Sequence, residues 1–445
     1  MGILCYDGST HLIGGNLVSN LKDVETLAER GILVGVNLQK DSHFDYSMEE
    51  LANLAEALNV EVIGMVTQNL ERVTPSHYVG TGKIEEIKAF FDESDANLVI
   101  FNDELSPSQI RNLERDLECK VIDRTMLILD IFGRRAKTRE AQMQVELAQL
   151  QYMLPRLVGL HASLSRQGGG TGGGFKNRGA GETKLELDRR KIEDQISKIK
   201  KDLEVVKDQR ETQRKQRRKN DMPVVSIVGY TNAGKSTIMN QLLRKMGQED
   251  NKQVFEKDML FATLETSVRN IELSDKKSFL LTDTVGFVSK LPHHLVKAFR
   301  STLEEARDAD LLLHVVDVSN EESRFMMDVT NETLKAVGVE NIPTLYVYNK
   351  SDLAGMQYPL VSGDNIWMSA KESAGLDELL QMIRQHIFSD YVTCEMLIPY
   401  DQGTVVSYLN EQATIFDTSY EENGTLLKLE LKQADYNKFE QYVSK

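Results

Sequence analysis

Hydrophobic residues in the first part of the chain fall in short runs separated by longer amphipathic stretches. Apolar runs of about four to eight residues are typical of buried strands, whereas apolar positions that recur every three or four residues predict helices. Strands alternating with helices predict a small α/β domain, here over 1–132. The predicted strands are 32–38, 60–66 and 97–101, and the predicted helices are 47–58, 82–92 and 106–118.

A different spacing follows over 133–220. Two sets of apolar residues recur at alternating intervals of four and three positions, which is the seam spacing of a coiled coil. The glycine-rich segment 168–174 lies between them, so the simplest arrangement is an antiparallel helical hairpin with a flexible tip. The first seam is Met143, Leu147, Leu150, Leu154 and Leu157, and the second is Ile192, Ile196, Ile199, Leu203 and Val206.

The rest of the chain returns to alternating strands and helices. A strand at 223–228 and a helix at 236–246 open a second α/β domain over 221–389, and a third, smaller α/β domain is predicted over 390–445. The fold class is therefore α/β throughout, with the hairpin between the first two domains. The elements predicted in the last domain are a strand at 394–400, a helix at 403–413, a hairpin turn at Asn423-Gly424, a strand at 425–431 and a helix at 434–443.

The loop between the strand and the helix of the second domain has the pattern G-x-x-x-x-G-K-S. Backbone N–H groups of such a loop cradle phosphates, its lysine reaches the outer two, and the helix that follows directs its positive end at them. The sequence therefore predicts a P-loop nucleotide site, although this pattern alone suits any nucleoside triphosphatase. The predicted residues are Gly229, Tyr230, Thr231, Asn232, Ala233, Gly234, Lys235, Ser236 and Thr237.

Two further segments are candidates for holding Mg²⁺ and contacting the outermost phosphate. Asp283-Thr284-Val285-Gly286 ends an apolar run, so its aspartate is placed to hold magnesium, usually through water, and its glycine N–H to sense the γ-phosphate. The segment Phe261-Ala262-Thr263-Leu264-Glu265-Thr266 precedes it, and Thr263 is preferred to Thr266 as the threonine that closes over the metal when GTP is bound. The predicted magnesium ligands are Ser236, Thr263 and Asp283.

The base is indicated by Asn349-Lys350-Ser351-Asp352, an N-K-x-D motif. Its aspartate accepts hydrogen bonds from two guanine N–H groups, and adenine offers no such pair. Ser369-Ala370-Lys371 follows another apolar run and is placed to offer a backbone N–H to the guanine oxygen. Four nucleotide motifs in this order predict GTP and GDP as the ligands.

One expected catalytic side chain is absent from the sequence. Many GTPases have a glutamine directly after Asp-x-x-Gly to orient the attacking water, and this chain has Phe287 there. No catalytic residue is therefore assigned, and slow intrinsic hydrolysis is expected unless a partner or an ion supplies the missing electrostatics. Asn232 is a candidate ligand for a potassium ion beside the phosphates, and it equally suits a turn position with positive φ.

Charge is unevenly distributed along the chain. The 445 residues have a formal net charge of −15, which argues against nucleic acid, yet 176–219 contains 16 basic and 9 acidic residues. This strip indicates RNA binding or, alternatively, a solvated helix face leading into a linker. The glycine-rich tip is likewise a candidate RNA contact or a flexible linker. The candidate RNA-binding residues are Arg166, Gly168, Gly169, Gly170, Gly172, Gly173, Gly174, Lys176 and Arg178.

Cysteine usage and hydropathy bear on the compartment. Cys5, Cys119 and Cys394 show neither disulfide nor metal spacing, which fits a reducing environment. No apolar run approaches the roughly 20 residues needed to span a bilayer, and the amino terminus lacks the pattern of a signal peptide. A cytoplasmic location without a membrane span is therefore expected.

Several stretches resemble the HflX family of ribosome-associated GTPases, and the resemblance extends over essentially the whole chain. The most specific stretch is 179–190, and others are 78–86, 123–132 and 144–150. In the second domain, 261–264 and 283–287 also resemble that family, including the apolar residue in place of glutamine. The tip departs from the family pattern because its glycine-rich run is longer.

The resemblance implies a bacterial cytoplasmic GTPase that binds the large ribosomal subunit, through rRNA and ribosomal proteins, and separates stalled or idle ribosomes into subunits, often in stress. The subunit would stimulate hydrolysis, and the hairpin would reach toward the peptidyl-transferase region. A monomer is expected away from the ribosome. Two alternatives stay open: an RNA-remodelling ATPase using Gly80-Thr81-Gly82-Lys83 as a second nucleotide site, and a GTP-gated adaptor without significant catalysis.

Overall fold

The computed structural model describes residues 29–38, 41–167, 178–219, 222–247, 261, 267–273, 277–291 and 305–444, with the side chains of 157–167, 178–185, 211 and 213–219 outside the description. Within these ranges the chain forms three β-sheets and a long helical hairpin, so the predicted α/β class is confirmed. None of the helices in the described ranges is long and apolar enough to cross a membrane.

The amino-terminal sheet has four parallel strands with helices on both faces. Its elements are β1 Arg30–Leu38, α1 Phe44–Ala57, β2 Glu61–Leu70, α2 Thr81–Glu93, β3 Leu98–Phe101, α3 Pro107–Leu117, β4 Lys120–Asp123 and α4 Arg124–Arg135. The strand order is β2-β1-β3-β4. Successive side chains of a strand point to opposite faces, so Leu33 packs against α1 and α4 while Val34 packs against α2 and α3.

Two long helices, α5 Arg139–Gln167 and α6 Arg178–Lys219, form the predicted hairpin. They run antiparallel, because Arg210 near the end of α6 pairs with Glu140 near the start of α5 at 2.7 Å. The predicted seam is present where side chains are described. Its members that pack together are Leu147, Ile192, Ile196 and Ile199, with Met143, Leu150, Leu154 and Leu203 around them.

Asp123 joins the hairpin to the amino-terminal sheet. It ends β4, and its side chain caps α4 by accepting from the Met126 N–H at 2.9 Å. The same carboxylate accepts from the Tyr152 hydroxyl at 2.6 Å, and Tyr152 belongs to α5. The predicted strands and helices of this domain are present with ends displaced by up to four residues, whereas β4 and α4 lie outside the predictions.

The central sheet has seven strands in the order β10-β11-β9-β8-β5-β7-β6. Its elements are β5 Val224–Gly229, α7 Lys235–Lys245, β6 Ser267–Glu272, β7 Ser278–Asp283, β8 Leu311–Asp317, α8 Ser323–Ala336, β9 Thr344–Asn349, β10 Leu360–Ser362, β11 Asn365–Trp367 and α9 Leu376–Ile387. Among the strands that the structure describes in this sheet, β6 is antiparallel to β7 and β10 to β11, and the other pairs are parallel. Ligands of such sheets bind beyond the carboxyl ends of the parallel strands, which places the predicted motifs at one edge.

The carboxyl-terminal domain is a three-stranded antiparallel sheet in the order β12-β14-β13. Its elements are β12 Tyr391–Ile398, α10 Gly403–Gln412, β13 Thr414–Glu421, β14 Gly424–Lys432 and α11 Gln433–Phe439. The predicted turn at Asn423-Gly424 joins β13 to β14, and the predicted last helix ends earlier, at Phe439, before a short 3₁₀ turn. Lys277 of the central sheet pairs with Glu430 of β14 at 2.8 Å and so joins the two sheets.

Candidate functional site

The phosphate loop connects β5 to α7 and is shaped by two glycines. Gly229 has φ +146°, and a Cβ there would lie 2.3 Å from the Val315 carbonyl oxygen of the neighbouring strand. Gly234 has φ +94°, and a Cβ there would lie 2.2 Å from the Asn349 side-chain nitrogen. Other residues would therefore displace either the loop or its neighbours. Thr237 lies half-buried in the first turn of α7.

Lys235 directs its amine back into this loop. The amine donates to the Gly229 carbonyl at 2.9 Å and to the Tyr230 carbonyl at 2.6 Å, and the residue is 7% exposed. Burial lowers the pKa of Lys235 to about 8, and the charge of Asp283 opposes that shift. A buried ammonium that donates its hydrogen bonds to neutral carbonyls would gain strongly from anionic oxygens placed beside it.

The predicted magnesium ligands Ser236 and Asp283 lie together. The Ser236 hydroxyl donates to Asp283 Oδ2 at 2.7 Å, and Asp283 is fully buried at the end of β7. A carboxylate and a hydroxyl are hard oxygen ligands of the kind that Mg²⁺ prefers. Thr263 and Ala262 lie outside the described residues. Phe261 is described: it is 3% exposed, and its ring meets the edge of Phe132 with centroids 4.6 Å apart.

Gly286 lies against the phosphate loop. A Cβ on Gly286 would lie 3.1 Å from the Lys235 amine and 2.8 Å from the Thr231 methyl group, so only a glycine approaches so closely. A backbone hydrogen bond joins the phosphate loop to the segment that contains Gly286: the Thr231 N–H donates to the Phe287 carbonyl at 2.8 Å. The Thr231 hydroxyl is buried and has no hydrogen-bond partner among the described residues.

The side chains of Thr284, Val285 and Phe287 contact other parts of the fold. Thr284 donates its hydroxyl to the Ile227 carbonyl at 2.7 Å, and Val285 is buried in the core beneath α1 and α4. Phe287 is 2% exposed and packs with Tyr230 and Met326 under the sheet. The residue in the usual glutamine position therefore belongs to the core, and it cannot orient a water in the cleft.

Asn349 organises the opposite end of the site. Its side-chain nitrogen donates to the Ala233 carbonyl at 2.9 Å, and its side-chain oxygen accepts from the Ala370 N–H at 2.9 Å. One asparagine thus joins the phosphate loop to the Ser369-Ala370-Lys371 loop. Lys350 pairs with Asp317 at 2.7 Å. Asp352 Oδ1 is buried without a hydrogen-bond partner among the described residues, so it is free to accept from a ligand N–H.

Few contacts are described for the other predicted site residues. Asn232 is exposed with φ +60°, which suits the turn interpretation and leaves its side chain open to solvent. Gly168, Gly169, Gly170, Gly172, Gly173, Gly174 and Lys176 lie outside the described residues. Arg166 and Arg178 belong to the helices of the hairpin, with side chains outside the description. Lys83 of the second glycine-rich segment pairs with Glu86 at 2.6 Å.

Sequence reasoning missed a contribution from the amino-terminal sheet. Glu50 of α1 accepts from the Tyr230 hydroxyl at 2.5 Å, and Arg124 of α4 donates to the Ser289 hydroxyl at 2.9 Å. All four residues are buried. The only signal in the sequence is a pair of charged residues within apolar helices, and that does not identify their partners.

Three protein-family models match consecutive parts of the chain. The model described as GTP-binding GTPase N-terminal matches residues 45–133, and the one described as GTP-binding GTPase Middle Region matches 135–217. A model described as 50S ribosome-binding GTPase matches 224–350, the part that contains the phosphate loop, Asp283 and Asn349.

Relatives in several bacteria resemble this chain over most of its length. GTPase HflX of Caldanaerobacter subterraneus subsp. tengcongensis is 45% identical over 91% of this chain and 91% of that protein. GTPase HflX of Escherichia coli K12 is 39% identical over 89% of this chain and 92% of that protein. A solved GTP-binding protein of Sulfolobus solfataricus in complex with GDP is 25% identical, with 81% of this chain and 99% of that chain covered and a TM-score of 0.42.

Proposed function

This chain belongs to the HflX family of GTPases, and from that premise we propose that it uses GTP to bind the large ribosomal subunit and to separate stalled or idle ribosomes into subunits. It binds GTP and GDP and hydrolyses GTP. The observation that carries the use of GTP in this proposal is the convergence of Lys235, Asp283 and Gly286 at one edge of the central sheet. The description of the family model over 224–350 as a 50S ribosome-binding GTPase supports the choice of partner.

We assign the phosphate end of the site as follows. Lys235 would exchange the carbonyls of Gly229 and Tyr230 for the β- and γ-phosphates, because anionic oxygens compensate a buried ammonium better than neutral ones. The Gly286 N–H would contact the γ-phosphate. Ser236 and Asp283 fit a magnesium site, with Thr263 as the third ligand, and the metal would neutralise charge between the outer phosphates.

We assign guanine recognition to Asn349 and Asp352. Asp352 Oδ1 is buried without a donor among the described residues and is positioned to accept from guanine N–H groups. Asn349 holds Ala370 in place, so a backbone N–H of the Ser369-Ala370-Lys371 loop would meet the guanine oxygen. Lys350, paired with Asp317, would hold the motif against the base.

The position of Phe287 in the core supports a low intrinsic rate of hydrolysis. Phe287 takes the place of the glutamine that orients the attacking water in many GTPases, so the intrinsic rate should be low and the ribosomal subunit should raise it. A potassium ion held by the exposed Asn232 side chain is a further source of positive charge beside the phosphates. Replacing potassium with sodium tests this assignment.

The hairpin is the proposed RNA-facing part. Its seam makes a stiff antiparallel rod, and Asp123 anchors the base of that rod to the amino-terminal sheet through Tyr152. We propose that the tip, with Arg166, Lys176 and Arg178 beside it, contacts rRNA near the peptidyl-transferase region. The protein would act in the cytoplasm as a monomer when it is not on the ribosome, and it would also contact ribosomal proteins.

GTP would govern binding through the two segments that flank the γ-phosphate. With GTP bound, the segment around Thr263 and the loop after Asp283 would order and favour the conformation that binds the subunit. Hydrolysis, prompted by the ribosome, would remove the γ-phosphate contact of Gly286 and release the protein.

The test is GTP hydrolysis by the full-length protein in potassium buffer, with and without purified large subunits, combined with sedimentation of intact ribosomes. Strong stimulation and conversion of ribosomes into subunits with GTP, but not with GDP, are expected. Stimulation without subunit separation would contradict the splitting step alone. A rate indifferent to large subunits would contradict the ribosomal partner, and a rate indifferent to sodium would contradict the potassium site.

A further inference from the structure

A glutamate on a helix of the amino-terminal domain contacts two parts of the nucleotide site at once. Glu50 belongs to α1 and is 3% exposed. Its Oε1 accepts from the Tyr230 hydroxyl at 2.5 Å, and Tyr230 is the second residue of the phosphate loop. Its Oε2 accepts from the Ser289 hydroxyl, and Ser289 follows Gly286 by three positions. One carboxylate therefore joins both segments that flank the outer phosphates.

The charge of Glu50 is compensated within the same buried cluster. Arg124 of α4, 1% exposed, donates to Glu50 Oε2, to the Ser289 hydroxyl at 2.9 Å and to Asn102 Oδ1 at 2.8 Å. Burying an ion pair rarely stabilises a fold more than apolar side chains of the same volume would. A role in fixing geometry therefore explains this pair better than a role in stability.

Two more hydrogen bonds connect the cluster to the site. The Ser289 N–H donates to the Tyr230 hydroxyl at 2.7 Å, so Glu50, Tyr230 and Ser289 form a closed ring of contacts. The Tyr230 carbonyl accepts from the Lys235 amine at 2.6 Å. Tyr230 thus binds Glu50 with its side chain and Lys235 with its backbone, and Ser289 fixes the loop that contains Gly286.

Apolar packing also holds the segments near Gly286 and Thr263 against the amino-terminal domain. Val285 and Val288 are buried in the core formed by α1 and α4, and so is Phe261, which precedes Thr263. The hydrogen bonds of Asn349 to Ala233 and Ala370, at the proposed guanine end, involve none of these residues. A change at Glu50 should therefore reach the phosphates and spare the base.

We propose that Glu50 is a positioning residue for GTP hydrolysis, supplied to the GTPase site by the amino-terminal sheet. It holds Tyr230 and Ser289 so that Lys235 and Gly286 meet the γ-phosphate in one fixed geometry. Small displacements of reacting groups cost large factors in rate, which is why a residue that does not touch the substrate matters. This inference rests on the roles proposed above for Lys235 and Gly286.

The test uses the full-length protein without ribosomes and measures kcat and KM for GTP, the Kd for GDP and the Tm. Glu50→Gln addresses the carboxylate directly but leaves Arg124 without its counter-charge, so Ser289→Ala is the principal variant. We expect Ser289→Ala to lower kcat about tenfold, with KM for GTP and Kd for GDP within twofold of the wild type. Ser289→Thr keeps the hydroxyl and should recover kcat to within threefold.

His43→Ala is the matched control because it breaks a contact between the same two domains away from the phosphates. His43 Nδ1 lies 2.6 Å from Glu322 Oε2, and its ring stacks on Phe325 with centroids 4.1 Å apart. This variant should keep the wild-type kcat. An equal loss of kcat in His43→Ala would overturn the inference, since domain docking in general would then be responsible.

Two further outcomes distinguish a failure of the role proposed for Glu50 from a failure of the phosphate contacts assigned to Lys235 and Gly286. A lower Tm with unchanged kcat in Ser289→Ala would make the cluster merely structural and overturn the positioning role. Lys235→Ala distinguishes the remaining cases: if it is inactive while Ser289→Ala is normal, only the role of Glu50 fails. If Lys235→Ala hydrolyses GTP normally, the assigned phosphate contacts fail first, and the inference falls with them.

Discussion

The two ends of the nucleotide site are built differently. At the guanine end, Asn349 contacts Ala233 and Ala370, and all three residues belong to the central sheet and its loops. At the phosphate end, Tyr230 and Ser289 bind residues of the amino-terminal sheet. In the proposed site, recognition of the base would therefore depend on one domain, whereas the response to the γ-phosphate would involve two. Substitutions can separate these properties.

The largest expected effect comes from Lys235→Ala at the phosphate end. Removing the buried amine that we assign to the outer phosphates should lower single-turnover GTP hydrolysis by roughly 10³-fold, as for other preorganised contacts to developing charge. Lys245→Ala is the control, because Lys245 lies on the same helix and pairs with the exposed Asp377 at 2.9 Å. A rate for Lys235→Ala above a tenth of the wild-type rate would contradict the assignment.

A buried histidine close to Lys235 should lower the stability of the protein in acid. His314 of β8 is buried, its Nδ1 has no hydrogen-bond partner among the described residues, and burial, with a smaller effect of Lys235, lowers its pKa to about 4. The unfolded chain takes up this proton near its ordinary pKa of 6.5, whereas the folded protein does so only near 4. Stability should therefore fall as the pH decreases from 6.5 to 4, by about 3 kcal/mol.

Urea unfolding at several pH values measures this contribution. His314→Leu removes the titrating group and fills the same space, so the variant should lose less stability than the wild type between pH 6.5 and 4. An unchanged pH dependence of the free energy of unfolding would show that other groups are responsible.

Asp352→Asn should change the recognition of the base without changing the phosphate contacts. The substitution replaces an acceptor by a donor opposite the guanine N–H groups, so the affinity for GTP should fall by roughly 10²-fold. Xanthosine triphosphate presents an acceptor there and should bind in its place. Because the phosphate end is untouched, the bound xanthosine triphosphate should be hydrolysed at about the wild-type rate for GTP. Unchanged GTP affinity would contradict the role of Asp352.

The sequence predicts candidate segments for both ends of the site, but it does not predict the contacts between the phosphate end and the amino-terminal domain. Motifs such as 229–236 and 349–352 are short contiguous segments with fixed residue spacing, so each can be recognised directly in the sequence. Glu50 lies 180 residues from Tyr230 and 239 from Ser289, and no periodicity relates positions that meet only through domain packing. The replacement of glutamine by Phe287 was visible, but its burial in the core was not.

The elements of the fold differ in the same way. The hairpin follows from heptad spacing, because coiled-coil packing depends on local periodicity. Strand β4 has four residues, and β10 and β11 have three each, so their existence depends on a neighbouring strand rather than on their own pattern.

The smallest expected effect comes from Lys290→Ala, which tests how local the contact with the amino-terminal sheet is. Lys290 pairs with Asp103 at 2.7 Å, but both side chains are about 30% exposed, so the pair should contribute less than about 1 kcal/mol to the free energy of unfolding. We expect GTP hydrolysis within twofold of the wild type. A loss as large as that of Ser289→Ala would mean that the whole loop after Gly286 must be docked, and the special importance of the buried Glu50 would disappear. A normal rate, beside a slow Ser289→Ala, would confine the coupling between the two domains to the buried cluster.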